Sequence, residues 1–139
     1  MRRRTAPLAL VVLVFAGCGG EARRENLPRP APPVTLTAAI HDDVVRISPR
    51  AVGAGQITVV VSNQSQRPQR VTMETDELAG RGPGNRASSP AIAPRGTGRL
   101  TLNVRRGIYQ VRVGDRAIRA ARVAVGPPRE SGQNRVLLP

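Results

Sequence analysis

Between Val34 and Val125 the apolar residues recur at every second position in short runs, and no stretch sustains helical spacing. Successive side chains of a strand point to opposite faces, so such alternation marks strands with one face buried. Val34, Leu36, Ala38 and Ile40 share one face of a first strand, with Thr35 and Thr37 opposite. A turn at His41-Asp42-Asp43 leads to a short second strand, Val44 to Ile47, and Ser48 to Gly55 form a loop. Gln56 to Asn63 follow, with Ile57, Val59 and Val61 on one face. After the polar turn 63–68, Gln69 to Thr75 alternate again through Val71 and Met73. Residues 76–97 are a long excursion rich in Gly, Pro and Ser, with one helical turn expected near Asp76 to Ala79. Leu100, Leu102 and Val104 mark the next strand, Gly107 to Val113 the sixth, and Ala120 to Val125 the last. Seven short strands separated by turn signals predict an all-β, seven-stranded antiparallel Greek-key sandwich. With one Tyr in the chain its core is light, built of Val, Ile and Leu.

The N-terminus follows a different logic. Arg2, Arg3 and Arg4 precede an apolar run from Leu8 to Phe15, too short for a bilayer span of roughly 20 residues. Residues 1–17 therefore constitute an export signal. Phe15-Ala16-Gly17-Cys18 resembles the lipobox of bacterial lipoproteins, although Leu is usual where Phe15 stands. The resemblance implies that the Cys18 thiol takes a diacylglycerol and that cleavage frees its amine for further acylation. Two or three acyl chains, at about 0.8 kcal/mol per buried CH₂, anchor a protein stably. Residues 18–33, with Pro28, Pro30, Pro32 and Pro33, form an extended tether behind that Cys. The expected location is the extracytoplasmic or periplasmic face of a cell membrane, with membrane lipid as one partner. Residues 126–139 are expected to be a disordered tail.

Two stretches of the 34–125 domain together resemble the cupredoxin-like family, the Greek-key sandwiches that include plastocyanin-type copper proteins. One is Ala51 to Asn63: a glycine turn, a β-run, and Asn at the strand end. The other is Ala93-Pro94-Arg95-Gly96 with the strand through Leu102, followed by Gly107-Ile108-Tyr109. The resemblance implies a copper site of two His, one Cys and a weak axial Met. The matching positions carry Gln69, Val113, Arg116 and Ala121. None of these is a suitable donor, and Cys18 is committed to lipid. The expectation is a retained fold without cofactor, and no electron transfer of the family type.

Other constellations are sparse. His41-Asp42-Asp43 is a weak candidate edge of a metal site, and otherwise a solvated turn. Glu74, Asp76 and Glu77 resemble an exposed strand edge rather than a catalytic carboxylate pair. Any nucleophilic triad would have to use His41, the single His, and no Gly-x-Ser-x-Gly elbow is present, so no enzyme is expected. Arg81-Gly82-Pro83-Gly84-Asn85-Arg86 is a weak candidate anion-binding loop through Arg81 and Arg86, without the ending of a nucleotide P-loop. The net charge of +13 comes from Arg alone. Without aromatic platforms, and behind an export signal, it points away from nucleic acid and toward anionic envelope polymer or an envelope protein. The sequence thus supports a membrane-anchored, metal-free binding or interaction module. Two alternatives stay open: a divergent copper carrier using His41 and Met73, and an Ig-like adhesion domain.

Overall fold

The computed structural model describes residues 29–76 and 84–132. They form eight strands: β1 (Val34–Ile40), β2 (Val45–Ser48), β3 (Ala51–Asn63), β4 (Val71–Thr75), β5 (Arg86–Ser88), β6 (Thr97–Val104), β7 (Gly107–Val113) and β8 (Ala121–Pro128). The strands follow the order β2-β1-β3-β8-β7-β4-β5, with β6 paired to β3. β3 belongs to both layers of a sandwich. Its first residues pair with β8, and its longer second part lies between β1 and β6.

Period-two burial produces the core. Leu36, Ala38 and Ile40 of β1, Ile57, Val59 and Val61 of β3, and Leu100 and Leu102 of β6 share one face and pack with Tyr109, Val111 and Val123 of the other layer. Tyr109 is fully buried, and its hydroxyl accepts the Arg105 backbone N–H at 3.0 Å. That bond closes the turn between β6 and β7 with the one aromatic side chain available to the core.

Three features depart from the expected pattern. An eighth strand, β5, lies inside the 76–97 excursion and pairs with β4 through Thr72, Met73 and Glu74. Two pairings are parallel, β1 with β3 and β3 with β8, so the sandwich is mostly rather than wholly antiparallel. The third departure explains the second. β3 begins at Ala51, within the expected loop, and its inward positions shift from Ala54 to Ile57, Val59 and Val61. The shift coincides with a register irregularity at Gly53/Ala54 and with Gly55 at φ 127°. The extra residue at the irregularity is Pro127 of β8, unpaired between the partners of Gly53 and Ala54, and only Gly adopts the Gly55 φ freely. β2 runs down beside β1, the chain turns the corner at Gly53–Gly55, and β3 returns up the other edge of β1.

The corner is fastened by Arg129. Its Nε donates to the Gly53 and Ala54 carbonyls at 3.2 and 3.3 Å, and Nη2 donates to the Gln56 carbonyl at 2.7 Å. Nη1 reaches the Pro32 carbonyl at 2.8 Å. β8 therefore runs to Pro128, three residues beyond the expected domain boundary, and Arg129 packs back on the sheet.

The pairings also give the sandwich two distinct ends. Val34, the Gly53–Gly55 corner, the 105–106 turn and Arg129 gather at one. The segments 41–44, 64–70, 89–96 and 114–120 gather at the other. β1 separates them by about 20 Å, at roughly 3.3 Å per residue.

Candidate functional site

The His41–Asp43 turn, Gln69, Val113, Arg116 and Ala121 lie at the loop end, which Asn63 organises. Asn63 is fully buried at the end of β3. Its Nδ2 donates to the Arg67 and Ile92 carbonyls at 2.8 and 2.9 Å, and its Oδ1 accepts Ser65 N–H and O–H at 3.0 and 2.7 Å. The 64–68 turn and the 92–96 turn are thereby tied to one side chain.

Gln69 lies next to this knot. Its backbone exchanges two hydrogen bonds with Ile92, at 3.0 and 2.8 Å, and the residue is buried. Val113, the last residue of β7, is buried opposite Val71. Arg116 is exposed in the 114–120 loop. Ala121 opens β8, paired with Val111. The residue of that loop that turns inward is Ile118, at 6% exposure. It was detectable in sequence only as the lone branched apolar residue between Gly114 and Ala120.

His41, Asp42 and Asp43 occupy the β1–β2 turn, as the sequence suggests. The Asp42 carboxylate accepts the Gln66 N–H at 3.1 Å, and Asp43 faces Arg119 at 3.5 Å. Both acids thus brace neighbouring loops. Among the described residues, no three His, Cys, Asp or Glu side chains converge. Met73, named beside His41 in the copper-carrier alternative, is fully buried in mid-β4.

A second constellation lies on the outer face of the β5-β4-β7-β8 layer. Glu74 was expected on an exposed edge, yet its side chain is only 8% exposed. Arg86 from β5 donates through Nε at 2.7 Å and contacts the same oxygen through Nη2 at 2.5 Å. Arg112 from β7 donates through Nε to the other oxygen at 2.6 Å. Strand pairing places Arg86 directly beside Glu74. The Arg112 hydrogen bond, supported by that of Arg86 and by both charges, holds the Glu74 carboxyl below its ordinary range against the opposing effect of burial. Beside it, Asp76 accepts from Gln110 and faces Arg122 at 3.5 Å. Arg86 and Arg112 border an open groove of about 630 Å³ that continues to Arg116 and Arg119. Arg81 and Cys18 lie outside the described residues.

No family model matches the chain, and no curated protein matches it significantly. Solved structures do. Auracyanin A, a "blue" copper protein from the green thermophilic photosynthetic bacterium Chloroflexus aurantiacus, superposes with a TM-score of 0.51 at 15% identity, covering 68% of this chain and all of that one. The fold is cupredoxin-like. A dithionite-reduced auracyanin from Roseiflexus castenholzii gives 0.48 at 16% identity over 66% of this chain and 97% of its own. An oxidized amicyanin variant gives 0.46 at 19% identity over 64% and 79%. At these identities the likeness extends to fold alone.

A copper centre of the cupredoxin type does not fit this cupredoxin-like domain. Such a centre needs imidazole nitrogens and a thiolate. The matching positions offer a carboxamide at Gln69, an alkyl group at Val113, a guanidinium at Arg116 and a methyl at Ala121. Ile118 brings a further hydrocarbon to the same end, and the Arg116 cation would repel a metal ion.

Proposed function

We propose that this chain is an extracytoplasmic lipoprotein, anchored through Cys18, whose cupredoxin-like domain acts without metal as a non-catalytic binding module. The observation that carries the reading is Val113. It fills, with buried hydrocarbon paired to Val71, the position where copper would require a thiolate. The carboxylates nearby support it, because Asp42 and Asp43 are engaged with Gln66 and Arg119. β1 begins at Val34, at the end opposite those loops.

Copper titration of the purified protein tests the metal-free reading. The expected result is no stoichiometric uptake. A sub-micromolar Cu(II) affinity or an intense blue absorption would refute it. Cys18→Ser tests the anchor: the protein is expected to leave the membrane fraction, and continued tight association would refute lipidation at that residue.

A further inference from the structure

We propose that the arginine groove on the β5-β4-β7-β8 face binds an extended, phosphate-bearing polymer. The inference rests on the reading of the domain as a binding module and assigns that module its surface and ligand chemistry.

The groove is built around a buried carboxylate that orients cations instead of consuming them. Glu74 takes Nε and Nη2 of Arg86 but only Nε of Arg112. The outer edges of both guanidinium groups remain for the groove, and the two side chains are 55% and 41% exposed. An arginine side chain otherwise loses considerable rotamer freedom when it binds a ligand. Here Glu74 has already fixed two of them. Planar guanidinium groups held in this way match the oxygens of phosphate in pairs.

Arg116 and Arg119 extend the positive surface to the loop end. Arg116 forms no ion pair among the described residues, and Arg119 meets only the exposed Asp43 at 3.5 Å. Against these four cations the groove carries two carboxylates, Glu74 and Asp115. Arg86 and Arg112 meet on the two oxygens of the Glu74 carboxylate, and the Arg116 and Arg119 pair lies further along the groove at the loop end. One small anion cannot satisfy such a spread, whereas a chain of regularly placed charges can.

One other source of phosphate fits less well. Nucleic acid bases would find no stacking platform, because the chain retains only Tyr109 after its signal segment and that ring is fully buried.

The test uses the full chain carrying Cys18→Ser, so that acylation plays no part in the result. Linear polyphosphate, inorganic phosphate and phosphatidylglycerol vesicles are the three probes, measured by calorimetry or co-sedimentation at several salt concentrations. Polyphosphate is expected to bind with strong salt dependence, at least about tenfold more tightly per phosphate than inorganic phosphate. Arg116→Ala with Arg119→Ala is expected to weaken binding about tenfold. Arg46→Ala with Arg99→Ala removes equal charge from the exposed face of the other layer and is expected to change it less than about twofold. Equal weakening by the two pairs would overturn the assigned groove and leave only diffuse charge attraction. Vesicle binding with the same dependence on Arg116 and Arg119 would assign the groove to lipid headgroups. Parity between phosphate and polyphosphate would overturn the polymer. All these outcomes are distinct from copper uptake, which alone sinks the metal-free reading.

Discussion

Asn63 donates from Nδ2 to the carbonyl oxygen of Ile92, 29 residues further along the chain, at 2.9 Å. The same amide meets Arg67 and Ser65, so one buried side chain satisfies three partner residues from two loops. Removing it strands polar groups in the interior, which costs more than the bonds themselves contribute. Asn63→Leu is expected to lower stability by about 2–4 kcal/mol in chemical denaturation. A loss below about 1 kcal/mol would show that water substitutes for the amide.

The Glu74 carboxylate gives a dependence on pH. Arg112 and Arg86 depress its pKa in the folded state, so the ion pair stabilises the fold fully above the ordinary unfolded value of about 4.3. That contribution is lost as pH falls through the lower folded value. Glu74→Gln is expected to be roughly 1–2 kcal/mol less stable at neutral pH, with the gap closing in acid. Urea unfolding at several pH values checks this, and a gap constant with pH would contradict it.

Gly98 faces Ile92 at a distance that leaves no room for a side chain. A Cβ at Gly98 would lie 2.5 Å from Ile92 Cδ1 and 2.7 Å from Cγ1. Ile92 is itself buried and cannot swing freely outward. Gly98→Ala is expected to cost about 1–3 kcal/mol. Adding Ile92→Val, which removes Cδ1, is expected to cost less than the sum of the two single changes, as contacting residues couple. Simple additivity in thermal unfolding would argue against the contact.

Tyr109→Phe isolates the hydroxyl bond to Arg105. The ring stays in the core while the β6–β7 turn loses its acceptor. The expected cost is about 1 kcal/mol, or a Tm lower by roughly 4–8 °C for a domain of this size. An unchanged Tm would mean that solvent serves Arg105 equally well.

The alternation of Leu36, Ala38 and Ile40, or of Tyr109, Val111 and Val113, was legible because burial on one face leaves a period in the sequence. β5 left none. Arg86 and Ser88 are exposed, and they hold their place through Glu74 and Thr72, which are distant in sequence. The corner at Gly53–Gly55 resembled a loop because its glycines serve backbone geometry and the close approach of Arg129. Glu74 shows the same limit at the candidate site. Its burial is created by arginines from two neighbouring strands, and one-dimensional patterning cannot reveal cross-strand neighbours. Ile118 was invisible for a simpler reason: a single apolar residue in a loop has no period.

The parallel pairing of β1 with β3 has a mechanical consequence. The seven registered pairs from Val34/Ile57 to Ile40/Asn63 lie along β1, the first strand of the domain. If a bound polymer drags on the far loops while the anchor holds Val34, the load runs along β1. The hydrogen bonds are then sheared together rather than peeled apart one by one. A pull between Val34 and the far loops thus meets all seven registered pairs at once.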